Sequence, residues 1–131
     1  ISALMKRSCP HLSAAEAAAY GAPWPSAEYK AGVRMFPRLV CEEPTAAGAE
    51  LSQRARTFLQ REWRGESFMA VGVQDPVLGV PVMKALARVV RACPPPLLLA
   101  DAGHFVQESG DVIARAALAH WAARPASQAR L

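Results

Sequence analysis

The sequence predicts an α/β fold, and three observations lead to that prediction. Residues 67–73 (SFMAVGV) and 94–101 (PPPLLLAD) are short apolar runs without alternation, as is typical of strands covered on both faces of a parallel sheet. Residues 80–90, between the two runs, have the length and composition of a helix. Residues 111–123 carry apolar side chains at helical spacing. The order strand, helix, strand, helix indicates an α/β sheet.

The first half of the chain reads as helical. Ser13 followed by Glu16 is the capping-box pattern, so a short helix is expected over 13–20. A second helix is expected over 27–36, ending before Pro37, and a third over 46–63. We therefore expect an all-helical insertion ahead of the sheet.

Composition excludes several classes of protein. With 131 residues, 52% hydrophobic and 20% charged, the chain is globular rather than disordered. Its net charge of +4 comes from scattered basic residues, which indicates solvated helix faces and no nucleic-acid partner. No apolar run approaches the roughly 20 residues of a membrane span. The 3 cysteines are widely spaced without CxxC, so free thiols in a cytoplasmic protein are expected, and no metal site.

Two parallel strands cannot by themselves form a sheet that is buried on both faces, because both edges and much apolar surface remain open. The chain also begins with Ile1 rather than Met. We therefore expect it to be the C-terminal part of a larger α/β protein.

Two polar residues follow the predicted strands directly. Asp75 comes after the first strand and His104 after the second, one strand–helix–strand unit later. The carboxyl ends of parallel strands share one edge of a sheet, where sites form in such folds. An Asp that accepts a hydrogen bond from one imidazole nitrogen leaves the other nitrogen free as a general base.

Other interpretations of these residues stay open at this point. An Asp before Pro76 is a common turn-former, and Asp101 is a second candidate partner for His104 or a brace for the Gly103 turn. His11 and His120 are expected to be surface or packing residues.

The detailed residues resemble one enzyme family. The segments FMAVGVQDPVLG, MKAL, LLLADAGHFVQESGD and ARAALAHW resemble the C-terminal end of bacterial haloalkane dehalogenases, which are α/β-hydrolase fold enzymes, and most of all the dichloroethane-degrading branch. The segment YGAPWPSAEYKAGVRMFPRLV looks like the end of that family's helical cap. The resemblance covers nearly the whole chain. It implies that residues 1–40 end the cap and that residues 41–131 belong to the C-terminal part of the core.

The resemblance also implies a chemistry that needs water but no cofactor and no metal. In this family an Asp carboxylate displaces halide from a haloalkane, and a water activated by the His hydrolyses the resulting ester to an alcohol. By resemblance, His104 is that base and Asp75 the acid that orients it. The nucleophilic Asp, the oxyanion-hole donors and the halide-binding tryptophans would lie in a missing N-terminal part, so we expect the chain alone to be inactive.

Five apolar residues match positions that line the family's substrate cavity. Phe36, Pro37 and Val40 match the cap side, and Val77 and Leu78 match the opposing wall. Ordinary core packing is the alternative for each of them.

Two alternatives to a haloalkane dehalogenase remain. The first is another α/β-hydrolase with the same Asp–His end, such as an epoxide hydrolase or a haloacetate dehalogenase. The second is a non-catalytic product of a truncated gene, acting through exposed apolar surface. The residue at the nucleophile position would separate these possibilities.

Overall fold

The computed structural model describes residues 1–123, which form two compact units. The first unit is Ile1–Glu62, and the second begins at Trp63. In the described residues no helix is both long enough and apolar enough to cross a membrane.

The first unit opens with two helices that pack against each other, α1 (Ser2–Ser8) and α2 (Ala14–Gly21). The buried residues are Met5 in α1, Ala17 in α2, and Cys9 and Leu12 in the segment that connects them. The predicted capping box of α2 is confirmed: Ser13 Oγ accepts from the Glu16 amide at 3.2 Å, and Glu16 Oε2 accepts from the Ser13 amide at 2.7 Å. Helix α1 was not predicted from the sequence.

The predicted helix over 27–36 is broken into shorter pieces. A 3-10 turn at Glu28–Lys30 leads into α3 (Ala31–Met35), and a second 3-10 turn follows at Phe36–Leu39. Pro37 has no amide hydrogen to donate into an α-helical ladder, and it lies in the first positions of this tighter turn. The last helix of the unit, α4 (Ala49–Arg61), begins three residues later than predicted, after Gly48 in the left-handed region (φ 91°).

The second unit contains a parallel pair of strands, which confirms the predicted α/β class. Strand β1 (Ala70–Gly72) pairs with β2 (Leu97–Leu99) in the register Ala70 to Leu97 through Gly72 to Leu99. Both strands are shorter than predicted. For β2 the reason is the run of prolines at 94–96, which lack the amide hydrogens that a ladder requires.

Helices follow both strands, as predicted. Helix α5 (Val80–Val89) packs against β1, and α6 (Gly110–Ala122) follows a 3-10 turn at Val106–Ser109. Val71 in β1 is buried, whereas Leu98 in β2 is 45% exposed. The expectation that both strands are covered on both faces is therefore wrong for Leu98, because α5 and the turn at 106–109 both pack on β1.

Candidate active site

The candidate site lies in the second unit, in the two loops that follow β1 and β2. Because the strands are parallel, both loops leave the sheet at its carboxyl edge. Asp75 is three residues beyond the end of β1, and His104 is five residues beyond the end of β2. The structure thus brings together the two residues that were predicted as acid and base.

Asp75 and His104 are in direct contact. His104 Nδ1 lies 3.0 Å from Asp75 Oδ1 and 3.1 Å from Oδ2. The Asp75 side chain is 8% exposed, whereas the His104 side chain is 40% exposed. The Asp75 carboxylate is therefore shielded from solvent, whereas the His104 imidazole is accessible to it. In such a pair only the imidazole can contact a water molecule or a ligand.

Asp75 also closes the turn that follows it. Its Oδ1 accepts hydrogen bonds from the main-chain amides of Val77 at 2.8 Å and Leu78 at 3.0 Å. Burial raises the pKa of Asp75, but these two amide hydrogen bonds, together with the hydrogen bond and charge of His104, outweigh it and hold the pKa below its ordinary value. Asp75 is therefore a carboxylate at neutral pH.

The ionised state of Asp75 determines how His104 is protonated. A carboxylate has only acceptor oxygens, so the hydrogen bond requires that His104 Nδ1 carries the hydrogen and donates it. In the neutral imidazole the lone pair is then on Nε2. Within residues 1–123, Nε2 makes no hydrogen bond to another group, so it is available to accept a proton.

The loop that carries Asp75 is tied to the loop that carries His104. The Gln74 amide donates to the Ala102 carbonyl at 3.0 Å, and the Gln74 side-chain Nε2 donates to the Ala100 carbonyl at 3.1 Å. Gly72 lies so close to the second loop that a Cβ at this position would be 2.4 Å from the Gly103 carbonyl oxygen. Gln74 is not a site residue that could be identified from the sequence, because nothing in its local sequence indicates which distant carbonyl it contacts.

The other candidate partner of His104 is placed differently. Asp101 is exposed, and its carboxylate makes no hydrogen bond or ion pair with His104 in the described residues. His104 instead contacts the ring of Phe105 edge-on, with 5.4 Å between the ring centroids. The single hydrogen on its Nδ1 is shared between the two carboxylate oxygens of Asp75.

The five predicted substrate residues fall in two places. Phe36 and Pro37, in the first unit, line an apolar cavity of about 380 Å³ together with Gly32 and Val33. Val40 lies just beyond them and is 63% exposed. In the second unit, Val77 and Leu78 follow Asp75, and their side chains are exposed. A substrate role for these five residues remains a prediction.

Within residues 1–123, no three His, Cys, Asp or Glu side chains lie close enough together to hold a metal ion. The three cysteines are free thiols, as expected; Cys9 is buried, and Cys41 and Cys93 are half-buried. Burial raises the pKa of the Cys93 thiol, which keeps it protonated.

Comparison with known proteins points to one family. The chain is 39% identical to the tetrameric haloalkane dehalogenase of Paraglaciecola agarilytica, with a TM-score of 0.87 over 91% of this chain and 40% of that one. It is 36% identical over 92 residues to haloalkane dehalogenase 1 of Mycobacterium tuberculosis, and 33% identical over 91 residues to a haloalkane dehalogenase of Mycolicibacterium paratuberculosis. The resemblance to haloalkane dehalogenases is confirmed.

The two mycobacterial haloalkane dehalogenases match only part of their length. Each comparison covers 70% of this chain, and the chain spans about 30% of the relative. No protein-family model matches the chain. The similarity to the solved haloalkane dehalogenase also confirms that the α/β arrangement described above is part of an α/β-hydrolase fold.

Proposed function

We propose that this chain contributes the general base and its orienting acid to a haloalkane dehalogenase, which hydrolyses a carbon–halogen bond to an alcohol and a halide ion. One observation carries the proposal. His104 Nδ1 lies 3.0 Å from the carboxylate of Asp75 at the carboxyl edge of parallel strands. The same chain is 39% identical to a solved haloalkane dehalogenase.

The first step of the proposed reaction does not use this pair. A carboxylate oxygen from outside this chain attacks the carbon that bears the halogen. A carbon–oxygen bond forms while the carbon–halogen bond breaks, and the halide leaves with the bonding electron pair. The product is an ester between the enzyme and the alkyl group.

The second step is the one in which His104 acts. Nε2 removes a proton from a water molecule, whose oxygen attacks the carbonyl carbon of the ester. The imidazolium that forms is stabilised by the Asp75 carboxylate. When the tetrahedral intermediate collapses, the bond between the carbonyl carbon and the alkyl oxygen breaks, and the imidazolium gives its proton to that oxygen so that the alcohol leaves. The regenerated carboxylic acid releases its proton to solvent, which restores the nucleophilic carboxylate.

The apolar residues support a substrate with few polar atoms. Phe36 and Pro37 line an apolar cavity, and Val77 and Leu78 expose apolar side chains directly beside the acid. With Val40, they are proposed to contact the alkyl group of a small haloalkane, which offers almost no hydrogen bonding. The three free thiols fit the reducing conditions of the cytoplasm, where we propose that the enzyme acts.

The proposal is tested on the whole protein that contains this chain, by measuring halide release from short chloro- and bromoalkanes. Steady release is expected, and its absence would contradict the proposal. The variant His104→Ala is expected to release at most one halide per enzyme molecule, because the first step proceeds and the ester then accumulates. His11→Ala is the matched control: His11 is exposed in the first unit, and this variant is expected to keep the normal rate.

A further inference from the structure

Gln74 connects the loop that carries Asp75 to the loop that carries His104, and the proposed reaction gives it no role. It immediately precedes Asp75, and it makes two hydrogen bonds to the loop that leads to His104. Its main-chain amide donates to the Ala102 carbonyl at 3.0 Å. Its side-chain Nε2 donates to the Ala100 carbonyl at 3.1 Å.

The two members of the pair are not held equally well. The Asp75 carboxylate is fixed by the amides of Val77 and Leu78, within its own turn. The His104 ring is held less firmly: its side chain is 40% exposed, and within residues 1–123 it is held only by the Asp75 carboxylate and by the edge of the Phe105 ring. The position of its ring therefore depends on the position of the loop that carries it.

The two hydrogen bonds of Gln74 restrain that loop in different ways. The main chain already holds this segment at Leu99, whose carbonyl accepts from the Val73 amide at 3.0 Å, and at Ala102, whose carbonyl accepts from the Gln74 amide, so the part that can still turn is the peptide at residues 100–101. The second bond, to the carbonyl two residues earlier, removes this freedom. Because only the second bond comes from a side chain, it is the one that a substitution can remove.

We propose that Gln74 is a positioning residue, which keeps His104 within hydrogen-bond distance of Asp75 by anchoring the Ala100 carbonyl. Gln74 does not contact the reacting atoms. It acts on the base through the loop, and a displacement of about 1 Å in a catalytic group lowers a rate by up to about a hundredfold. The test by halide release rests on the proposed function. The test by NMR of His104 does not depend on it.

The first test uses Gln74→Met in the whole protein, a change that keeps the length of the side chain and removes its donor. Steady-state halide release is expected to fall about tenfold. The first burst of halide is expected to be unchanged, because it does not involve His104. Gln74→Lys restores a donor and is expected to stay within about threefold of the normal rate.

The second test observes His104 directly by NMR of protein labelled at histidine. In the normal protein the Nδ1 hydrogen is held by Asp75, so it should exchange slowly with water. Gln74→Met is expected to accelerate that exchange about tenfold, and Gln74→Lys is expected to restore it. Gln60→Met, a matched change at an exposed position on α4, is expected to alter neither measurement.

The outcomes separate the possible roles. Unchanged halide release and unchanged exchange in Gln74→Met would overturn the inference. An equal loss of the burst and of the steady-state rate, together with a lower melting temperature, would show a merely structural role and overturn it too. If the normal protein releases no halide, the proposed function fails, and the exchange rates alone decide the inference. If Gln74→Met does not fold, Gln74→Glu, which is as long and lacks a donor when ionised, takes its place.

Discussion

At the scale of single residues, Asp75 combines three tasks in one carboxylate. It accepts the two amides of its own turn, it is ionised because those amides and His104 outweigh the effect of burial, and it fixes the tautomer of His104. A charge that is already present needs no rearrangement when the imidazolium forms. The stability of the turn and the tautomer of His104, the proposed base, therefore depend on the same side chain.

The lowered pKa of Asp75 leads to a prediction about acid stability. Since the pKa in the folded protein is below the ordinary value of 3.8, the ionised form stabilises the fold above that pH, and this contribution is lost as the pH falls through the folded pKa. The variant Asp75→Asn keeps an acceptor for the turn but has no charge. In urea unfolding of the whole protein, it is expected to be less stable than the normal protein at pH 7, with the difference shrinking below about pH 4. A difference independent of pH would contradict this account.

Strand spacing predicted that Asp75 and His104 share one edge of the sheet, and the family resemblance implied their roles as acid and base, but neither indicated the residue that links their loops. Asp75 and His104 could be paired because each follows an apolar strand, and parallel strands bring their carboxyl ends to one edge. The contacts of Gln74 depend on where two carbonyl oxygens point in a loop 26 residues away. Backbone orientation of that kind is set by the folded structure and leaves no periodic signal in the sequence.

At the scale of elements, the close approach of the two loops at the carboxyl edge of the sheet requires glycine at residue 72. A Cβ at residue 72 would lie 2.4 Å from the Gly103 carbonyl oxygen and 2.7 Å from that of Ala102, and neither main-chain group can turn aside as a side chain can. In contrast, a Cβ at Gly32 in α3 would have no neighbour within 4 Å. The two glycines thus provide a matched pair, one required by close packing and one not.

This contrast predicts opposite effects of the same substitution. Gly72→Ala is expected to lower the free energy of unfolding by about 1 to 3 kcal/mol, because the loops must separate to admit a methyl group. Gly32→Ala is expected to leave it unchanged or to raise it by up to about 1 kcal/mol, because alanine favours a helix. Urea unfolding of both variants measures the difference. Equal effects would show that the contact at residue 72 is not as tight as described.

Elements with a strong local pattern were predicted, and those shaped by their surroundings were not. The capping box of α2, the helices α5 and α6, and the apolar strands all had such patterns. Helix α1 has a weak one, and it is stabilised by packing on α2 and by Lys6, whose ammonium donates to the carbonyls of Pro10 and Leu12. Pro37 accounts for the end of α3 at Met35, whereas the 3-10 turn at Glu28–Lys30 has no marker in the sequence.

At the scale of the whole molecule, the buried core of the described residues is small. Eight apolar residues are buried, and half of them are alanines, which bury little surface. Larger side chains remain open, including Phe36 at 74%, Leu51 at 68% and Leu118 at 65% exposed. Exposed apolar surface of this extent is unusual for a stable monomer and marks surfaces that bind other protein groups or ligands.

The small core predicts how the 131-residue chain behaves when expressed alone. We expect it to bind a fluorescent apolar dye strongly, to unfold without a sharp transition, and to release no halide from bromoalkanes. Dye fluorescence, thermal unfolding followed by near-ultraviolet circular dichroism, and a halide assay measure these three properties. A cooperative transition with weak dye binding would show that the observed core is sufficient.

The turn after β1 has a consequence for engineering the proposed substrate contacts. Besides the hydrogen bond from His104, the Asp75 carboxylate accepts two from the backbone amides of Val77 and Leu78, while the side chains of these two residues are exposed. The hydrogen bonds of the Asp75 carboxylate to these two amides therefore do not depend on which uncharged side chains occupy the two positions. A combinatorial library at 77 and 78 can sample shape and polarity widely. Proline, which has no amide hydrogen, is the one amino acid such a library should omit.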